Sequence, residues 1–207
     1  MSTELAIPSA RGAIAARFDP PAPGRRASAL LVGGGDGGFD GPAEALYPDL
    51  VDDLAAIGCG ALRLDFRIHR FPNDPDEGVF DVLAGIEYLA SEGIDRVALV
   101  GHSFGGAVVI EAGVRSQHVV AVATLATQTA GAQRVAELAP TPLLLVHGLA
   151  DIRLSPEGSR LLYRYAGEPK RLELLEGATH SLRQRRADVR GLLVAWFTEH
   201  LGAKDEP

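Results

Sequence analysis

Cysteine is almost missing from this chain. Its 207 residues include one, Cys59, so no internal disulfide can form and a reducing compartment is compatible. Set between Gly58 and Gly60, Cys59 reads as a small buried residue. Basic charge is also short: 20 Lys and Arg stand against 27 Asp and Glu, a net charge of −7. With no basic excess to neutralise phosphates, nucleic acid is a poor main partner. No apolar run approaches the roughly 20 residues that cross a bilayer. The start lacks a basic leader followed by an apolar core, and Glu4 and Pro8 count against a signal peptide. These absences predict a soluble, cytoplasmic protein without a membrane partner. Nothing repeats at a period of roughly 20–50 residues, which excludes solenoids and propellers. No linker or low-complexity tract divides the chain, so residues 1–207 read as a single domain.

What is present is apolar sequence, 46% of the chain, in short runs. Ala27–Gly34, Cys59–Phe66, Arg96–His102, Val119–Ala126, Thr141–Gly148 and Lys170–Gly177 mostly lack polar alternation, as strands covered on both faces do. Helical spacing lies between them: Leu46, Leu50, Leu54 and Ile57, then Val79, Leu83, Ile86 and Leu89. Asp74-Pro75 and Ser155-Pro156 supply helix starts. A last helix covers roughly Ala187–Leu201. Alternating strands and helices predict an α/β fold with a mainly parallel central sheet of about six to eight strands and helices on both faces. Residues 1–26 read as an edge hairpin and a loop, 27–201 as the core and 202–207 as a tail.

One turn stands out. Gly101-His-Ser103-Phe-Gly105 joins a predicted strand to a predicted helix, in the G-x-S-x-G pattern of a nucleophile elbow. A serine there sits in a strained conformation that projects its hydroxyl, and a Cβ two residues before or after it would clash. The helix behind it favours developing negative charge. A plain glycine turn is the competing reading; the strand before, the helix after and Gly106 weigh against it.

A serine needs a base and an orienting acid. Downstream, Asp151 follows one predicted strand and His180 follows the next, so both reach the sheet edge that carries Ser103. Other candidates fit less well. His102 should point away from Ser103, and His147 belongs to its strand end. His118 lies on the opposite edge and His200 in the last helix. His69 is on the correct edge but precedes the serine, and it is the competing base. Asp65 is an alternative acid or a loop cap. No His and carboxylate spacing suits a metal, and no cofactor is expected.

The glycine loop Leu31–Gly41 offers close backbone approach. With the amide of Phe104, the amide of Gly35, or next that of Gly34, would form an oxyanion hole. Gly33, Gly35 and Gly38 also match a dinucleotide fingerprint, but Pro42 and Pro48 disrupt the segment that follows.

The stretches "VGGGDGG", "RLDFR", "GHSFGGA", "HGLADIRLSP" and "GATHSL", in this order, resemble the α/β-hydrolase superfamily. Within it the chain resembles small capless members, the dienelactone-hydrolase-like and compact esterases. The resemblance implies Ser103 as nucleophile, His180 as base and Asp151 as its partner. It departs at the elbow, where dienelactone hydrolases proper carry cysteine, and at Gly33, where many relatives have histidine. The segment Thr127–Pro140, where large caps usually enter, has room for one short helix, so no large cap domain is expected. Arg67 and Arg70 read as solvated loop arginines, with a substrate carboxylate as the competing role. Arg183–Arg186 similarly reads as a solvated face, with a phosphate or CoA tail as the competitor. The function expected is a serine hydrolase cleaving a small-molecule carboxylic ester or thioester through an acyl-enzyme. The alternatives are an idle hydrolase fold used for binding and, among enzymes, a peptidase or acyl transferase. Oligomeric state stays open, a homodimer being one option.

Overall fold

The computed structural model describes residues 2–202; the predicted tail beyond residue 202 lies outside the described residues. Strands β1 (Thr3–Ile7) and β2 (Ile14–Asp19) form an antiparallel hairpin at one sheet edge. Then come β3 (Ala27–Val32), α1 (Pro42–Ala56), β4 (Gly60–Leu64), α2 (Pro75–Ser91), β5 (Arg96–His102) and α3 (Phe104–Arg115). The chain continues through β6 (Val119–Leu125), β7 (Leu143–Gly148), α4 (Glu157–Tyr165), β8 (Lys170–Leu175) and α5 (Arg186–Leu201). The eight strands lie in the order β1-β2-β4-β3-β5-β6-β7-β8. From β4 onward every pairing is parallel, while β2 meets β4 antiparallel. Between β6 and β7 the chain forms only a short 3-10 turn, Val135–Glu137, so no large cap covers the sheet edge.

Strands β3, β4 and β7 are buried along their whole length, as their unbroken apolar runs require. One core packs α2, α3 and α4 against the sheet through residues such as Leu30, Val82 and Val108; the other packs α1 and α5 through Leu31, Leu50 and Phe197. Cys59 belongs to this second core.

Local signals explain most element ends. Asp74 caps α2, its side chain accepting from the Asp76 amide at 2.9 Å, with Pro75 in the first turn. At α4 the helix starts one residue later than Ser155-Pro156 suggests, at Glu157, yet Ser155 Oγ still accepts from the Glu157 amide at 3.3 Å. The start of α1 departs from the sequence pattern. Ala43, Glu44 and Ala45 hold positive φ of 54°, 58° and 62°, a left-handed turn that costs non-glycine residues roughly 1–2 kcal/mol each. The turn is anchored where the Ala43 amide donates to the Ser181 carbonyl at 2.8 Å.

Candidate active site

Four strands deliver the site. The loops after β3, β5, β7 and β8 meet at the carboxyl edge of the sheet around a cavity of about 960 Å3, the position where parallel α/β sheets bind ligands.

The elbow after β5 presents Ser103 at φ 55° and ψ −113°, a conformation that costs a serine energy and persists only when its surroundings impose it. They do. The Ser103 amide donates to Leu125 O at 2.9 Å, and its carbonyl accepts from the amides of Gly106 and Gln128 at 3.1 and 3.2 Å. A Cβ at Gly101 would fall on the Gly105 carbonyl, and one at Gly105 would fall on the carbonyl of Gly33. The two glycines are therefore required, as the pattern predicts.

Ser103 Oγ lies 3.0 Å from His180 Nε2, and His180 Nδ1 lies 2.7 Å from Asp151 Oδ2. With Asp151 accepting at Nδ1–H, Nε2 is left to accept the serine proton. Asp151 Oδ1 accepts from the amides of Arg153 and Leu154 at 2.8 and 2.9 Å. Burial works against this carboxylate, but the Leu154 amide, the His180 ring and the Arg153 amide outweigh it and hold its pKa below the usual value,. The three groups named from the sequence thus form one hydrogen-bonded chain.

His69 does not join it. Its Nε2 pairs with Asp65 Oδ1 at 2.9 Å on the cavity wall. Asp65 Oδ1 also accepts from the Gly38 amide at 2.6 Å, so Asp65 caps the glycine loop. Asn73 holds the same loop, donating from Nδ2 to Gly35 O at 3.0 Å. The Gly34 α-carbon faces the elbow: a Cβ there would sit 3.5 Å from Ser103 Cβ. Arg67 is not a solvated loop arginine, and it does not line the cavity. It is largely enclosed against Asp81 and Glu77, both supplied by α2. Arg186 pairs with Asp49 at 2.9 Å, while Arg183 lines the cavity.

Two histidines have roles that sequence reasoning missed. His102 does more than point away from Ser103: its Nε2 donates to the carbonyl of His180 at 3.1 Å, and the two rings stand 5.0 Å apart. Burial drives its pKa down to about 4, against the opposing effect of that carbonyl. His147, at the end of β7, is fully buried and reaches Asp151 Oδ2 at 3.2 Å. The signal for His147 was its place four residues before Asp151; the signal for His102 was its place inside the elbow.

A family model described as the alpha/beta hydrolase family matches residues 29–203. The chain belongs to this family. Among curated relatives, the uncharacterized protein YfhR of Escherichia coli (strain K12) is 32% identical over 119 residues. That match takes in 45% of this chain and 42% of the relative's length, so the chain spans under half of it. Among solved structures, the esterase domain of a Rhodothermus marinus protein is 22% identical with a TM-score of 0.78, covering 98% of this chain and all 100% of that one. A dienelactone hydrolase from Anabaena variabilis is 16% identical with a TM-score of 0.82, covering 97% and 98%. A serine hydrolase without a lid from Xanthomonas campestris is 19% identical with a TM-score of 0.73, covering 98% and 96%. At these identities the likeness concerns the fold, a lidless alpha/beta hydrolase.

Proposed function

We propose that this alpha/beta hydrolase cleaves a carboxylic ester or thioester through an acyl-enzyme on Ser103. The observation that supports the reading is the continuous chain Ser103–His180–Asp151, at 3.0 and 2.7 Å, opening on the cavity.

In this mechanism His180 Nε2 takes the Ser103 proton as Oγ attacks the substrate carbonyl. Asp151 keeps the ring in the productive tautomer and stabilises the imidazolium. The negative charge on the tetrahedral oxygen falls to two backbone amides. Phe104 is the first residue of α3, so its N–H has no acceptor within the helix,. The geometry of the glycine loop supports Gly35 over Gly34 as the second donor. The Gly33 carbonyl faces Gly105, so the Gly34 N–H across that trans peptide points away from the elbow. The Gly34 carbonyl accepts from Gly37 N at 3.0 Å, which turns the Gly35 N–H out of the loop. His180 then returns its proton to the leaving group, and water releases the acid by the same route.

Turnover of short p-nitrophenyl esters tests this. Ser103→Ala should abolish it while leaving the fold intact, and a fluorophosphonate should label Ser103 in the native chain. Full turnover by Ser103→Ala overturns the mechanism; a native chain that takes no label is an idle fold used for binding.

A further inference from the structure

His147 is a buried titratable group that the proposed mechanism does not use. Its side chain is wholly enclosed and meets three polar atoms. Nε2 lies 3.2 Å from Asp151 Oδ2 and 3.1 Å from Leu154 O, and Nδ1 lies 2.7 Å from Ser159 Oγ. Both neighbours of Nε2 are acceptors without a proton to give. Nε2 must therefore carry the proton and share it between them, since a bare lone pair facing a carboxylate and a carbonyl would be unpaired and repelled in a dry site. Nδ1 then accepts from the Ser159 hydroxyl. This fixes the tautomer. Burial also disfavours a second proton, more than Leu154 O and Asp151 favour it, and with both acceptors at Nε2 the ring serves Asp151 as a donor and not as a second base.

The loop around it is closed on itself. The Leu154 amide donates to Asp151 Oδ1 while the Leu154 carbonyl accepts from His147. The ring thus ties the strand end, the acid loop and the first turns of α4 through Ser159. Asp151 ends with four donors, two on each oxygen: the amides of Arg153 and Leu154 on Oδ1, and the two imidazoles on Oδ2. A carboxylate held at both oxygens cannot swing about its Cβ–Cγ bond.

We infer that His147 is a positioning residue: it fixes the plane of the Asp151 carboxylate so that Oδ2 stays aimed at His180 Nδ1. The inference rests on the serine-hydrolase reading for its effect on rate, and on the hydrogen bonds alone for its effect on His180. The titratable groups acting on His147 are Asp151 and His180.

The test compares the native chain with His147→Leu, which fills the space without a donor, and His147→Gln, whose amide can donate to the same two oxygens. Two readouts are taken. One is kcat and KM on a p-nitrophenyl ester, normalised to sites labelled by fluorophosphonate. The other is the low-field proton NMR signal of the His180 Nδ1–H. His147→Leu should lower kcat about tenfold or more, within the ~10²-fold cost of an ångström-scale misplacement, with KM held within about twofold. Its low-field signal should move or broaden away. His147→Gln should recover most of both. A folded His147→Leu with native kcat and an unmoved signal overturns the inference, as does a Gln variant no better than Leu. Should His147→Leu fail to fold, Ser159→Ala removes the hydroxyl that fixes the ring and should give the same changes at smaller size; native behaviour there is equally fatal. If the native chain turns over no ester, the functional reading fails while the NMR arm still decides this one.

Discussion

The ring of His102 donates to the main-chain carbonyl of His180, 3.1 Å away, so the residue beside the nucleophile holds the backbone of the base. That bond is made by a histidine kept neutral by burial, with its pKa near 4.

A loss of stability in mild acid follows. The unfolded chain binds a proton on His102 near pH 6.5, and the fold refuses it until about pH 4. The His102 contribution is therefore complete above about 6.5 and drains as pH falls toward 4, by on the order of 3 kcal/mol in full, and His147, whose pKa burial also lowers, adds to the loss below 6.5. Asp151, whose pKa is lowered, adds its own loss in the same direction, but only from about 3.8 downward. Urea denaturation at pH 7.5 and pH 5 should show the first effect, and His102→Gln should shrink it. An equal midpoint for the native chain at both pH values would refute the assignment.

Asn73 should matter to rate more than to binding. Its amide holds the Gly35 carbonyl at 3.0 Å, which orients the proposed oxyanion donor. Removing a donor outright costs about 10²–10³ in kcat in known hydrolases. Asn73→Ala only loosens one, and a fall of roughly tenfold in kcat with KM little changed is expected from steady-state kinetics.

Arg67→Ala should destabilise the chain strongly. Its guanidinium neutralises Asp81, whose side chain is 1% exposed, and Glu77. Stranding a buried carboxylate costs about 3–5 kcal/mol. A chemical melt should show the loss, and Arg67→Met combined with Asp81→Leu should return much of it.

Gly105→Ala should leave little active protein. Its methyl would meet the Gly33 carbonyl, pushing the elbow and the glycine loop apart. Fluorophosphonate labelling per folded molecule is the readout, with Gly191→Ala as the control, since nothing lies within 4 Å of a Cβ there.

Much of the fold was legible because fully covered strands such as β3 and β7 read as unbroken apolar runs, and six short runs, the last of them more polar, place six of the strands. The elbow was legible because backbone crowding admits glycine alone at Gly101 and Gly105. The partners that brace the site were not. His147 and Ser159 meet across a strand end and a helix turn, and nothing local in either stretch announces the contact. Arg67 looked exposed because its loop is polar, and its partners Asp81 and Glu77 come from α2. The left-handed turn at Ala43–Ala45 carries no sequence signal at all, since alanine and glutamate are ordinary helix formers.

The bonds from Asn73 to Gly35 and from Asp65 to Gly38 have a consequence for how this scaffold can change. They fasten the wall contributed by residues 65–74 to the loop proposed to receive the oxyanion. The opposite wall, through Arg153 and Leu154, is fastened to Asp151. Redrawing either wall for a new substrate would disturb the chemistry as well, so selectivity and rate are mechanically geared together here. The stretch after Gln128 carries no such fastening to Ser103, Asp151 or His180 among the described residues. It is the segment in which insertions could reshape the cleft with the catalytic geometry left standing.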